Sequence, residues 1–141
     1  MLLGSAAYCD TSFFAATLNT RDQYHEEAIK THRQAIQEKT LLFTSWEVVD
    51  ETSTLLLVRA NVALATSFVR KVVPRLEIID YDKSLRKEII KYFLKFNSGK
   101  RIFSFTDVTS YAVVKHLLKD IPILTFDHDF LSLGLNVVGL H

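Results

Sequence analysis

The apolar residues of this chain fall into two kinds of pattern, and the alternation between them outlines an architecture. Short, almost wholly apolar runs occur at residues 6–9, 41–44, 76–79 and 122–126, with a weaker one at 136–138. Runs of this length bounded by polar or turn residues predict strands buried on both faces. Between them apolar positions recur at helical spacing. Phe13 and Phe14 open one such stretch directly after Asp10. Residues 22–38 form a charged amphipathic helix with Tyr24, Ala28, Ile29, Ala35 and Ile36 as its apolar side. Ser45 stands where it can cap a helix over 46–59, and a further helical stretch follows Asn61. Asp82 is placed to cap a helix over 83–96, which Asn97, Ser98 and Gly99 end. The last helix, over 107–118, begins with Thr106 as a capping hydroxyl and Asp107 at the positive end of the helix dipole.

Strands alternating with helices predict the α/β class: a three-layer α/β/α sandwich around a central parallel sheet of four to five short strands. In open sheets of this kind ligands bind beyond the carboxyl ends of the strands. The chain has 141 residues, which suits one domain spanning 1–141, and 48% of them are hydrophobic with only four Gly and two Pro. Its single cysteine, Cys9, cannot form an internal disulfide and reads as a small buried residue. No apolar run approaches the 18 or so residues of a membrane helix, and Asp10 closes the first run too early for a secretory leader. A cytoplasmic protein with no membrane association is expected. The net charge of +1 excludes no class of partner.

The chemistry lies in the carboxylates. Asp10 and Asp127 each follow an apolar strand, Glu51 sits in the helix after the second strand, and Asp107 opens a helix. Glu51 is three residues after Val48 and four before Leu55, on the apolar stripe, with Asp50 and Glu47 as competitors for its role. Carboxylates crowded together repel by about 4 kcal/mol per pair at 4 Å with an effective dielectric near 20. A divalent cation removes that conflict. Oxygen-only ligation suits Mg²⁺ or Mn²⁺, whereas zinc would want Cys or paired His, and His25 and His32 lie seven apart on a solvated helix. Taken singly, each acid also has a structural reading: Asp10 as an N-cap, Asp107 as a first-turn acid, Asp127 as a turn residue.

The runs Tyr-Cys-Asp-Thr-Ser-Phe-Phe (8–14), Val-Val-Asp-Glu-Thr-Ser-Thr-Leu-Leu (48–56), Ser-Phe-Thr-Asp-Val-Thr-Ser-Tyr (104–111) and Leu-Thr-Phe-Asp-His-Asp-Phe (124–130) occur in order across nearly the whole chain. Together they resemble the signature of PIN-domain ribonucleases, closest to the small VapC-type toxins of toxin-antitoxin pairs. The resemblance implies a PIN-like fold related to the RNase H-like and 5′-nuclease architecture. It also implies a Mg²⁺- or Mn²⁺-dependent endoribonuclease that hydrolyses RNA phosphodiester bonds with metal-activated water, leaving a 5′-phosphate and a 3′-hydroxyl. Asp10, Glu51, Asp107 and Asp127 would be the catalytic and metal-binding acids, with Asp129 able to share or take the fourth place. The hydroxyls of Thr11, Ser104 and Thr106 would help to position water, carboxylates or substrate. Implied partners are a tRNA, rRNA or mRNA substrate, a cognate antitoxin whose segment occupies the active-site groove, and a second copy of the chain in a homodimer. An RNA-processing nuclease without an antitoxin, and an inactive PIN-fold binding module, are the alternatives. An aspartyl-nucleophile phosphatase is set aside, because that chemistry wants a second acid two residues after Asp10 and the chain has Ser12.

An acidic site that works on a polyanion needs cations nearby. Lys83, Lys87, Lys91 and Lys95 fall four apart on one helix, and Lys100 and Arg101 extend that charge toward Asp107. Lys91, Lys95, Lys100 and Arg101 are therefore candidate phosphate contacts, which give affinity without sequence readout. Arg70, Lys71 and Arg75 form a second candidate patch. Phe13, Phe14, Phe103, Phe105, Phe126 and Phe130 bracket the acids and read as core rather than as stacking platforms. Trp46 suits either the core or a partner interface.

Overall fold

The fold is given by a computed structural model that describes residues 2–139. Among these residues five parallel strands form one sheet: β1 (Ala6–Cys9), β2 (Leu41–Ser45), β3 (Glu77–Ile79), β4 (Ile123–Leu124) and β5 (Val137–Val138), in the order β3-β2-β1-β4-β5. The registers Tyr8↔Phe43 and Tyr8↔Ile123 put β1 at the centre. Ala7, Tyr8 and Cys9 are all fully buried. Successive strand residues point to opposite faces, so a run buried without a break requires helices on both sides. The expected three-layer α/β/α sandwich is what the chain forms.

The helices are α1 (Thr11–Leu18), α2 (His25–Glu38), α3 (Trp46–Arg59), α4 (Val62–Ser67), α5 (Lys83–Phe96), α6 (Phe105–Leu117) and the single turn α7 (Asp129–Ser132). Caps explain most of their starts. Asp10, Ser45, Asn61 and Asp82 each accept a backbone N–H from the first turn of the helix that follows. Two starts differ from expectation. The helix expected over 22–38 begins at His25, because the Asp22 carboxylate accepts the Tyr24 N–H at 2.8 Å and holds 22–24 in a turn. The helix expected from Thr106 and Asp107 begins two residues earlier, because Ser104 is the cap and accepts the Asp107 N–H at 3.0 Å.

Other differences concern packing. Of the apolar side expected for α2, Ala28 and Ala35 are buried but Ile36 is 64% exposed, since α2 meets α1 over a narrow strip of small residues. Trp46 stands out in solvent at 62% exposure rather than in the core. After α4 the chain continues through a π-helical turn (Phe68–Val72) and a 3₁₀ turn (Val73–Arg75) into β3, irregularity that sequence periodicity does not register. Cys9 is buried as expected, and burial pushes its thiol pKa up, so it stays a protonated core residue.

The strand expected over 122–126 is paired only at Ile123 and Leu124. Thr125 still donates its N–H to Val138, but its hydroxyl and the Phe126 N–H turn toward α1. β5 ends beside this departure at Gly139, which has φ +120°, and a Cβ built there would lie 2.5 Å from the Thr125 carbonyl oxygen. Only a residue without a side chain lets the two backbones approach so closely. Gly139→Ala should therefore lower folding stability by about 1–3 kcal/mol, read as a reduced urea midpoint at unchanged m-value. A variant as stable as wild type would show that the contact is not needed.

Candidate metal centre

β1 and β4 are neighbours in the sheet, and the chain leaves them in opposite directions: through β2 and β3 on one side and to β5 on the other. Such a switch point opens a crevice at the carboxyl ends of the two strands. Asp10 lies immediately beyond β1 and donates its N–H to the Leu124 carbonyl at 3.1 Å, which ties it to β4. Asp127 lies three residues beyond β4, and its side chain accepts the Asp129 N–H at 2.9 Å. The first turn of α6 delivers Asp107 to the same place. Carboxylate oxygens of Asp107, Asp127 and Asp129 all fall within 4.8 Å of one another. Asp10 and Glu51 stand outside that trio and act on Asp107 through their charge.

The position of Asp10 is fixed by two hydroxyls. Ser12 Oγ and Thr125 Oγ1 each give their one proton to Asp10 Oδ2, at 3.0 and 2.9 Å. Each then accepts a backbone N–H from the β4 loop, Ser12 from Phe126 and Thr125 from Asp127. Neither hydroxyl was singled out for the site from sequence. The signal was a serine or threonine two residues from each strand-end acid, in Asp-Thr-Ser and Thr-Phe-Asp. Phe126 itself is clamped between Tyr24, stacked at 4.6 Å, and Phe13 at 6.5 Å, so an aromatic pile supports the loop that carries Asp127.

Asp10 Oδ1 is buried and has no hydrogen-bond partner. Burial raises the Asp10 pKa to about 6 although Thr125, Thr11 and Ser12 all donate to it. For Asp107, burial and the charges of Asp10, Asp127 and Glu51 push the pKa up to about 7, with Ser104 opposing. Asp129 is also raised, by burial and by Asp127, against the pull of Arg101 and His128. An orphaned buried oxygen on Asp10, together with three clustered acids of which Asp107 and Asp129 resist ionising, fits a hard divalent cation. The donor set is all oxygen. His25 takes no part, since its Nδ1 meets the Ala16 carbonyl at 2.7 Å.

The other candidates are distributed as follows. Glu47, Asp50 and Glu51, the three competitors on α3, all line one cleft with Phe105 and Thr106, and it is Glu51 whose charge acts on Asp107. Glu47 is engaged elsewhere, accepting the Tyr81 hydroxyl. Thr11 is buried with an unpartnered hydroxyl, while Ser104 caps α6 and also donates to Asp107. Asn97 ties down the 97–103 loop through bonds to Phe93 and Phe103, and that loop holds Arg101 4.0 Å from Asp129. Lys91 pairs with Glu88 on α5, and Lys95 and Lys100 are exposed.

The PIN domain family profile matches residues 7–135. Among solved structures the chain is similar to VapC20 of Mycobacterium tuberculosis, a sarcin-ricin loop cleaving toxin, at 28% identity over 92% of this chain and 95% of that one, with a TM-score of 0.74. It is also similar to FitAcB from Neisseria gonorrhoeae (16% identity, 93% and 95% coverage, TM-score 0.63) and to VapBC2 from Rickettsia felis bound to a fragment of its promoter DNA (13% identity, 94% and 97% coverage, TM-score 0.70). These last two share the fold. Among curated proteins no relative matches.

The raised carboxyls make folding stability fall with pH in the absence of metal. Asp10 and Asp107 have folded-state pKa values of about 6 and 7 against 3.8 unfolded, so the native state holds more protons between these values. Their contribution is complete below about pH 4 and is lost as pH rises toward 7. In chelator, the melting temperature of Asp107→Asn minus that of wild type should increase from pH 5 to pH 8. Adding Mn²⁺ at pH 8 should raise the wild-type value and leave the variant nearly unmoved. A flat difference across this range would contradict the mutual repulsion of these acids.

Proposed function

The chain belongs to the PIN-domain family, and from that premise we propose that it is a Mg²⁺- or Mn²⁺-dependent endoribonuclease, the toxin of a toxin-antitoxin pair. The observation that carries this reading is the convergence of Asp107, Asp127 and Asp129 at the switch point, beside an Asp10 oxygen with no donor. Asp10, Asp107, Asp127 and Asp129 would hold the cation, with Glu51 contributing from the α3 side. When bound, the cation would polarise the phosphate and make a hydroxide nucleophile available near neutral pH.

The protein's own groups do the rest. Ser12 and Thr125 occupy Asp10 Oδ2 and leave Oδ1 free for the cation. Ser104 holds Asp107 at the start of α6. Attack forms a bond from the water oxygen to phosphorus and breaks the bond from phosphorus to the 3′ oxygen, which leaves with a proton as the 3′-hydroxyl. Arg101, beside Asp129, is placed to meet a phosphate, and Lys91, Lys95 and Lys100 extend a path for the backbone. Thr106, on the cleft wall, would border the route of the substrate, whereas Thr11 is buried.

The likeness to VapC20 supports the toxin role, and a toxin of this kind would take a cognate antitoxin over the groove and form a homodimer. Among the described residues no helix is long and apolar enough to cross a membrane, and the reading places the protein in the cytoplasm with its RNA.

Incubated with unstructured RNA and Mg²⁺ or Mn²⁺, the wild type should cleave to 5′-phosphate products. Chelator, or Asp107→Asn shown to be folded by circular dichroism, should slow cleavage by about 100-fold or more. Cleavage that survives both overturns the metal-dependent mechanism. Arg101→Ala should weaken RNA binding and lower the slope of log affinity against log salt by about 0.7, the value for one phosphate contact on a single strand. An unchanged slope would remove Arg101 from the backbone path.

A further inference from the structure

The cleft beside the acids lies between α3 and the first turn of α6 and encloses about 620 Å³, the size of a small-ligand site. Its charge is lopsided. Glu47, Asp50 and Glu51 share one face of α3 at its head, and Arg59, three turns away, is the one cation among its lining residues. Glu47 and Asp50, which stand outside the proposed cation-holding set, repel a phosphate, so the part of a nucleic acid that suits them is not the backbone. Opposite the carboxylates stands Phe105, two residues before Asp107 and 48% exposed. Every other phenylalanine that brackets the acids is buried, so this is the ring with an open face. It is braced by Phe93, with ring centroids 5.6 Å apart. Glu47 Oε2 is shielded from solvent and has no donor, although Oε1 accepts the Tyr81 hydroxyl. An open aromatic face across from acceptor-only groups matches a flat ring that donates N–H.

We propose that this cleft is a base subsite that takes an unpaired guanine beside the bond to be cut, stacked on Phe105 and donating its N1–H and exocyclic amino group to the cleft head, chiefly to Asp50. Guanine alone among the four bases presents two adjacent N–H donors on its Watson–Crick edge, the pattern a carboxylate's two oxygens accept. Adenine and cytosine offer one amino group next to an acceptor nitrogen, and uracil one N–H between two carbonyls. In a duplex this edge is already paired, so the guanine must come from a single-stranded stretch or loop. The subsite rests on the ribonuclease reading of the neighbouring acids, and its test separates the two.

The probes are four oligouridine decamers carrying G, A, C or U at one central position, bound to non-cleaving Asp107→Asn protein and followed by fluorescence anisotropy. The G decamer should bind about tenfold tighter than the others. Adding Phe105→Ala should weaken all four about tenfold, whereas Phe105→Tyr, which keeps the ring, should not. Adding Asp50→Asn should abolish the preference for G without weakening binding of the all-uridine decamer. Equal binding of the four decamers, a G preference that Asp50→Asn leaves intact, or binding that Phe105→Ala leaves unchanged overturns the proposal, and the last is the result expected if the cleft serves a protein partner. If wild type cleaves RNA without regard to base, the subsite fails and the nuclease reading stands. If the G preference appears but wild type cleaves nothing with Mn²⁺, the nuclease reading fails and the subsite stands.

Discussion

Like charges held together at a partly buried switch point are the constraint around which this chain is arranged. Two carboxylates 4 Å apart oppose each other by about 4 kcal/mol at an effective dielectric near 20, and here Asp107, Asp127 and Asp129 approach one another within 4.8 Å with Asp10 buried beside them. The protein does not relieve this with a wall of cations. Arg101 reaches Asp129 only at 4.0 Å and is itself half-exposed. Instead, hydroxyls and backbone N–H groups satisfy one oxygen of Asp10 while the other is left bare. The net result is a pair of carboxyls titrating near neutrality, which store repulsion that a divalent cation can release.

The sheet makes that repulsion possible to hold. Tyr8, Ile123, Leu124 and the flanking Val108 and Val113 are fully buried, so the strand ends and the first half of α6 cannot spread apart without opening the core. The Tyr8 hydroxyl meets Ser110 at 2.9 Å, joining the central strand to α6 one turn beneath Asp107. Burial also raises the Tyr8 pKa, so its hydroxyl stays neutral in this position. The site is thus borne by strand ends and helix starts, which are more rigid than loops, and the one loop in it is stiffened by the pile of Phe13, Phe126 and Tyr24.

Much of the fold was legible in the sequence because its signals are local. The bounds expected for α3 and α5 are those observed, since each is set by a polar cap and by apolar spacing within the helix. Where expectation and structure part, a side chain bonds across the chain. Thr125 and Phe126 read as strand, yet the ladder ends there because Asp10 and Ser12, more than a hundred residues earlier, take the Thr125 hydroxyl and the Phe126 N–H. Ser104 rather than Thr106 caps α6, a two-residue difference that apolar spacing cannot resolve. Phe105 shares the spacing and company of buried phenylalanines, and only the cleft in front of it leaves its face open.

The sequence by itself determined the class of fold and the order of its elements, and it offered the acids as candidates, since hydrophobic periodicity, caps and strand-end carboxylates are written in consecutive residues. Tertiary structure decided which acids meet. It brought Asp129 in with Asp107 and Asp127, left one Asp10 oxygen without a partner while Ser12 and Thr125 took the other, and set Glu47, Asp50 and Glu51 together on one cleft wall. These outcomes depend on the strand order β3-β2-β1-β4-β5, which puts residues far apart in the chain at one switch point. No spacing along a sequence carries that distance, because it is fixed by which strands pair.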